Sequence, residues 1–215
     1  MFTRSKAKQL QLTYPLALTS SLVPSSVHEA FLDPRWVKAM KEEFTALNKN
    51  GTWELVPYFD SMNLIGCNWV YRVKYNPDGL VLKFKARLVV KGFLQTPRMD
   101  CMEIFSPVVK TTTIRVLFTL AVTFGWDIQQ VDINNAFLNG DLTEEVYMSQ
   151  PEGFVDMNCP SHVCRLRKSL YGLKQAPRTW YTKLRLALQS WGFVRAVSDA
   201  SLFVKHTSQL LVLVL

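Results

Sequence analysis

The sequence predicts an α+β fold in which antiparallel β-sheet packs on amphipathic helices. Three observations carry this prediction: a helical periodicity after Asp33, a β-hairpin centred on residues 76–79, and two later helical segments that each end before a glycine. With 215 residues, 48% of them hydrophobic, the chain is long and apolar enough to bury a core. The composition therefore excludes a disordered chain.

The first helix has a well-defined start. Asp33 offers a side-chain acceptor at the cap, and Pro34 fits the first helical position. Apolar residues then recur every three or four positions from Val37 to Leu47, and Glu43 falls among the charged residues predicted on the opposite, solvent-facing side. The later helices are predicted over residues 111–124 and from Ala176 onward.

The clearest hairpin joins residues 67–75 to residues 80–90 through an Asn-Pro-Asp-Gly turn. A two- or four-residue loop would place Arg72 opposite Lys83, Val70 opposite Lys85 and Asn68 opposite Arg87. A three-residue loop would instead shift the pairing by one residue and move the side chains of the second strand to the opposite face. The predicted parity puts five cations on one face of the hairpin: Arg72, Lys74, Lys83, Lys85 and Arg87.

This cationic face has two interpretations. It could be an ordinary solvated surface, as most charged faces are. Cations that face one another repel, however, and an anion between them would relieve the repulsion, which favours a phosphate-binding ribbon. The formal net charge of +8 also favours a polyanionic partner.

An aspartate at the end of an apolar segment is the main catalytic candidate. Residues 126–133 are predicted to form a strand that delivers Asp132 to its end, while Asp127 alternates to the other side. A lone aspartate in this position is more often a cap or turn residue. A hard divalent ion needs several carboxylate oxygens, and the sequence contains no Asp-Asp pair that could add them.

A second candidate segment precedes the helix that starts at Ala176. It combines the aromatic Tyr171, a glycine at 172 for close backbone approach, and the cations Lys174 and Arg178. A loop that leads into a helix would by itself explain all of these residues.

The remaining features concern location. The four cysteines lack the paired spacing of a zinc site, and we interpret them as incidental thiols of an intracellular, cytoplasmic chain that is not secreted. Residues 1–27 are predicted to be a flexible linker. No apolar run is long enough to span a bilayer.

Several sequence strings, in order, resemble the reverse transcriptase of copia-type retrotransposons over residues 29–215. They are DPRWVKAM, NGTWELV, WVYRVKYNPDG, FKARLVVKGF, FSPVVK, VDINNAFLNGDL, EVYMSQPEGF and SLYGLKQAPR. The resemblance implies a right-handed polymerase with fingers over about residues 52–109 and an incomplete palm that begins near Asp132. It divides the chain into a polyprotein linker, 1–27, and reverse transcriptase fingers and partial palm, 28–215.

The resemblance also implies roles for single residues. Asp132 would be the first Mg²⁺ ligand, with the Ile133 carbonyl beside it, and Lys85 and Arg87 would hold the triphosphate. Phe137 looks like the bulky residue that excludes a ribose 2′-hydroxyl. The rest of the nucleotide pocket would come from Tyr171, Gly172 and Lys174.

The chain departs from the family pattern at several points. Arg98 and Cys101 stand where the family usually has a glycine and an aromatic residue, and Asn68 replaces a common lysine. The Tyr-x-Asp-Asp turn is absent from the 215 residues. We therefore expect a fragment without polymerase activity, whose ancestral reaction adds deoxynucleotides to a primer.

The implied partners are an RNA template, a DNA primer and deoxynucleoside triphosphates, with Mg²⁺ as cofactor; no protein partner can be inferred. The rival interpretation is a remnant that binds nucleic acid through the cationic face without catalysis. A third is a relic with no role.

Overall fold

The computed structural model describes residues 22–96, 100–133 and 135–215, and it has the α+β composition that the sequence predicts. Most of the predicted linker and Arg98 lie outside these residues. Within these residues the α-helices are α1 (Val27–Phe31), α2 (Pro34–Lys49), α3 (Thr111–Phe124) and α4 (Ala176–Ser190). Short 3₁₀ helices cover Gly92–Leu94 and Ala136–Asn139.

Nine strands form three sheets within the described residues. The strands are β1 (Trp53–Pro57), β2 (Leu64–Ile65), β3 (Cys67–Tyr75), β4 (Val81–Val90), β5 (Tyr147–Met148), β6 (His162–Leu166), β7 (Val194–Arg195), β8 (Phe203–His206) and β9 (Leu211–Val214). A four-stranded sheet has the order β1-β6-β5-β2, and only its β2–β5 pair is parallel. The β3–β4 hairpin and the antiparallel β7-β8-β9 sheet are separate.

Helix α2 packs on the apolar face of the β3–β4 hairpin. The carboxylate of Asp33 accepts the Arg35 backbone N–H, and proline follows the cap, as the sequence predicts. Trp36 is buried and meets Tyr71 and Phe84 edge-on, with ring centroids 5.3 and 4.8 Å apart. These aromatic contacts fix α2 against the hairpin.

The predicted position of Glu43 on the solvent-facing side of the helix is wrong. Its side chain is not on the solvent face: the residue is only 9% exposed, because α2 lies against β4 at this point. Burial raises the pKa of its carboxyl, although the Leu88 backbone N–H and the charges of Lys85 and Arg87 oppose this. Helical periodicity alone could not place this acid beside a strand edge.

The hairpin register differs from the predicted one by two residues. Arg72 pairs with Lys85, not Lys83, and Val70 pairs with Arg87. The loop has three residues, since the Asn76 N–H donates to the Leu80 carbonyl at 2.8 Å around Pro77, Asp78 and Gly79. By itself, a three-residue loop would put the β4 side chains on the opposite face from the one predicted. A bulge at Leu82 returns them to the predicted face, because Tyr75 pairs with Val81 but the next residue, Lys74, pairs with Lys83.

The predicted strand over residues 126–133 is wrong. α3 forms as predicted and ends at Gly125, which has φ +65°, but the residues after it pair with no described strand. Val131 is 78% exposed and Ile133 is 42% exposed. An apolar sequence of strand type becomes a strand only where another strand accepts its backbone hydrogen bonds, and here the described chain offers none.

One core unites most of these elements. It contains side chains of α1 and α2, both strands of the hairpin, the four-stranded sheet and the loop before α4. Trp36 also donates its indole N–H to the Leu22 carbonyl at 3.0 Å, so residues just before α1 pack on this core. No helix in the described ranges is long and apolar enough to cross a membrane.

Candidate nucleotide-binding site

The five predicted cations do share one face of the β3–β4 hairpin, which we call the cationic face. Arg72 pairs with Lys85 and Lys74 with Lys83, while Arg87 lies opposite Val70. Burial, followed by the charges of Arg87 and Lys74, lowers the pKa of Lys85, which shows that these cations act on one another. Among the described residues, the five make a single ion pair, Lys83 with Glu42 at 3.4 Å.

Arg87 connects this face to an aromatic pair. Its guanidinium carbon lies 5.0 Å from the centroid of the Tyr171 ring, and Tyr171 meets Phe137 edge-on at 5.3 Å. The Nε of Arg87 is buried and has no hydrogen-bond partner in the described chain. Three residues that the resemblance assigns to one nucleotide site therefore meet, although they come from β4, the loop before α4 and the second 3₁₀ helix.

Gly172 allows the loop that carries Tyr171 to approach β4 closely. The Val90 N–H donates to the Tyr171 carbonyl at 2.7 Å. Gly172 has φ +94°, and a Cβ there would lie 2.1 Å from the Val90 carbonyl oxygen. A Cβ at Gly92 would similarly lie 2.0 Å from the Gly172 carbonyl oxygen. Only glycine fits at this crossing of two backbones.

Lys174 is held by the protein itself. Its backbone N–H donates to Oε1 of Gln95 at 2.9 Å, and its ammonium donates to the Gln95 carbonyl at 3.0 Å. Lys174 thus fastens the loop to the chain that follows β4. A contact between its ammonium and a nucleotide stays a prediction.

Asp132 and Ile133 lie at the surface, apart from these contacts. Both residues are exposed, and Asp132 makes no hydrogen bond or ion pair in the described part of the chain. Five positions separate it from Phe137, so the two Cα atoms lie within ~18 Å. Among the described residues, Asp132 therefore has no hydrogen bond to Tyr171 and no ion pair with Arg87.

The residues present do not make a complete magnesium site. Mg²⁺ takes six oxygen ligands, and its protein sites use carboxylates. Asp132 and the Ile133 carbonyl would supply two of the ligands, and no cluster of three or more His, Cys, Asp or Glu side chains occurs in residues 22–96, 100–133 and 135–215. A metal could be held here only with ligands from elsewhere.

Sequence reasoning missed three residues that support the site. Glu43 lies near Lys85 and Arg87, and Gln95 and Gln175 form a buried pair behind Lys174. Glu43 lies 42 positions from Lys85, and Gln95 lies 80 positions from Gln175, so the local sequence does not show these contacts. The one local signal is the position of Gln175 directly after Lys174.

The fold and the site define an α+β protein with a cationic β-ribbon beside an aromatic pair, an arrangement suited to an anionic ligand with a planar ring. The sequence profile of one family, described as "Reverse transcriptase (RNA-dependent DNA polymerase)", matches residues 50–215. The chain belongs to this family.

Three curated relatives are Pol polyproteins of copia-type transposons. The chain is 51% identical over 89% of its length to the retrovirus-related Pol polyprotein from transposon RE2 of Arabidopsis thaliana, and 48% identical over its whole length to that from transposon RE1. The Pol polyprotein from transposon TNT 1-94 of Nicotiana tabacum is 41% identical over 96% of the chain. These matches span only 13 to 16% of the relatives' length.

A much shorter relative also matches. An uncharacterized mitochondrial protein of Arabidopsis thaliana, AtMg00820, is 45% identical over 56% of the chain and 74% of its own length. No solved structure matches the chain.

Proposed function

We propose that this chain forms the fingers and part of the palm of a right-handed reverse transcriptase, and that its cationic face binds the incoming deoxynucleoside triphosphate. The observation that carries the proposal is the line of contacts from Arg87 to Tyr171 to Phe137. Template RNA and primer DNA would lie beside this site. The ancestral reaction is templated addition of deoxynucleotides to a primer 3′-hydroxyl.

The cations would neutralise the triphosphate. Lys85 and Arg87 are two positions apart on β4 and point to the same side, with Arg72 across the ladder. Each hydrogen bond from such a cation to a phosphate contributes about 1.5 to 3 kcal/mol. Burial is the main cause of the lowered pKa of Lys85, and the charges of Arg87 and Lys74 add to it; an anion bound here would relieve that repulsion.

The aromatic pair would receive the sugar and base. Tyr171 is fixed through its carbonyl to β4, and Phe137 packs against its ring. A rigid ring below the sugar leaves no room for a 2′-hydroxyl, so shape would select deoxynucleotides. Gly172 and Lys174 hold Tyr171 in place from the next positions of the loop.

The 215 residues alone would bind a nucleotide without incorporating it. Reverse transcriptases generally use divalent metal ions. We propose that Asp132 and the Ile133 carbonyl supply part of the ligand set and that further carboxylates come from outside these residues. Without those ligands, the metal ions that stabilise the attacking and leaving oxygens during transfer would not be held.

The test is a chimaeric polyprotein. This chain replaces the matching segment of the RE1-type relative, which it resembles over its whole length. Arg87→Ala should lower primer extension per deoxynucleotide, kcat/KM, by about tenfold or more, since a lost charge-assisted hydrogen bond costs 1.5 to 3 kcal/mol. The control is Arg195→Ala, an exposed arginine on β7. Equal losses of kcat/KM in Arg87→Ala and Arg195→Ala would contradict the assignment of Arg87 to the triphosphate site.

A rival function is nucleic-acid binding without catalysis. It is favoured by the cationic face, where four of five cations make no ion pair among the described residues. If five cations contact phosphates of single-stranded RNA, the logarithm of the binding constant should fall against log salt with a slope of about −3.5. RNA binding with that slope, and no deoxynucleotide binding, would favour the rival.

A further inference from the structure

A buried amide pair joins the loop before α4, which carries Tyr171, to the chain that follows the β3–β4 hairpin. The Gln95 amide donates to Oε1 of Gln175 at 3.1 Å and to the Asp100 carbonyl at 3.2 Å. The Gln175 amide donates to the same Asp100 carbonyl at 2.9 Å. All three residues are buried, with exposures of 3% for Gln95, 0% for Gln175 and 4% for Asp100.

The two glutamines come from segments that carry nucleotide-site residues. Gln95 follows the 3₁₀ helix that continues β4, eight positions after Arg87, and Gln175 is the residue immediately before α4. Gln95 also accepts the Lys174 N–H at 2.9 Å through its own Oε1. The amide pair therefore ties the segment behind Arg87 to the loop that carries Tyr171.

These buried amide hydrogen bonds stabilise one position of the loop that carries Tyr171. A buried amide that loses its partners is costly, because water cannot replace them. Gln95 uses both its oxygen and its nitrogen, and the partners of its side chain lie on two other segments. Displacing the loop would leave the Gln95 and Gln175 side chains without their mutual hydrogen bond in a dry interior.

The anchor at Asp100 is itself fixed. Its carboxylate accepts the Thr96 backbone N–H at 2.8 Å and a hydrogen bond from the Asn63 side-chain amide. The carbonyl that both glutamines share is thus held by a neighbouring turn and by the segment before β2. The pair rests on a rigid acceptor.

We infer that Gln95 and Gln175 are positioning residues that set the distance between Tyr171 and Arg87, and so the affinity for the deoxynucleoside triphosphate. Neither side chain touches the nucleotide in this account. The inference rests on the proposed function, because it assigns a purpose to the position of Tyr171. It also makes a claim about the unliganded protein: the loop is held before any nucleotide binds.

The experiment uses the 215-residue chain and two readouts. The variant Gln175→Met keeps side-chain length and apolar volume but removes both hydrogen bonds. Gln95→Met is the second variant, and it removes the acceptor of the Lys174 N–H directly. The matched control is Gln150→Met, because Gln150 also makes three hydrogen bonds through its amide, to the 156–162 segment.

The first readout is hydrogen exchange at the backbone amides of Lys174 and Val90, measured without nucleotide. Both Gln175→Met and Gln95→Met should accelerate exchange at these amides by about tenfold, the effect of losing roughly one net hydrogen bond, while β1 and β6 stay protected. Gln150→Met should leave Lys174 and Val90 unchanged. Unchanged exchange in both variants would overturn the inference.

The second readout is the affinity for dTTP. Wild type and Gln150→Met should bind equally, and the two loop variants should bind about three- to tenfold more weakly. Faster exchange with unchanged affinity would overturn the positioning role. If wild type binds no dTTP at all, the proposed function fails, and the positioning role fails with it. Exchange at Lys174 then still shows whether the amide pair holds the loop.

Discussion

The guanidinium carbon of Arg87 lies over the ring of Tyr171, 5.0 Å from the ring centroid, although 84 positions separate the two residues. The ring attracts the cation without accepting its N–H groups as a carboxylate would, so these donors can still bind an anion. An aromatic ring that orients a cation in this way presets a phosphate site before the ligand arrives.

Phe137→Val should relax sugar selection. The substitution removes bulk beside Tyr171 but leaves Asp132 in place, so turnover should persist in the RE1-type chimaera. We expect ribonucleotide incorporation to rise relative to deoxynucleotide incorporation, because room opens for a 2′-hydroxyl. The ratio of the two kcat/KM values measures this. An unchanged ratio would show that Phe137 does not lie below the sugar.

Gly172→Ala should destabilise the fold far more than Gly125→Ala. Both glycines have positive φ, +94° and +65°, but only at Gly172 does a Cβ meet backbone, at 2.1 Å from the Val90 carbonyl oxygen. Gly125 has open space, so alanine there should cost only about 1 kcal/mol of backbone strain. Gly172→Ala should cost about 3 kcal/mol or more. Urea unfolding of the two variants checks the difference, and similar values would contradict the crossing of the two backbones.

Glu43→Gln should become progressively more stabilising as pH rises. Burial raises the pKa of this carboxyl above 4.5, so its neutral form contributes stability that is full below 4.5 and lost as pH rises through the folded pKa. Glutamine keeps an acceptor for the Leu88 N–H and has no proton to lose. The free energy of unfolding, measured at pH 4.5 and at neutral pH, should favour the variant more at neutral pH. If the stabilisation of Glu43→Gln relative to wild type decreased as pH rises, the pKa of Glu43 would not be raised in the folded state.

The 215-residue chain should extend no primer with any template in the presence of magnesium. Asp132 can anchor only part of a two-ion site, and the described residues hold no cluster of acids that could complete it. A gel assay with labelled primer measures extension. Magnesium-dependent incorporation that disappears in Asp132→Asn would contradict the proposal directly.

Alternation along the hairpin predicted the cationic face correctly, because side chains of a strand point to opposite sides in turn. The register was wrong, because a bulge at Leu82 cannot be read from apolar and charged positions. Two departures from the predicted pairing cancelled each other. The three-residue loop moved the β4 side chains to the other face, and the bulge at Leu82 moved them back. A conclusion about one face can therefore hold where the pairing behind it fails.

The pattern of residues along the chain could not predict contacts between residues that are distant in sequence. The resemblance nominated Arg87, Phe137 and Tyr171 for one pocket, but no periodicity states that their rings and guanidinium touch. Residues 126–133 were predicted as a strand from their local composition, yet strand formation depends on a partner that local sequence does not contain. Glu43 was misplaced for a similar reason, since its burial depends on where β4 lies.

The most direct test of the account is the binding of dTTP to the 215-residue chain without metal. Wild type and Arg195→Ala should bind with equal affinity, because Arg195 lies on β7, outside the cationic face. Arg87→Ala should bind about tenfold more weakly, as expected for the loss of one charge-assisted hydrogen bond. Equal affinities for Arg87→Ala and wild type would contradict the claim that the cationic face beside Tyr171 is the triphosphate site.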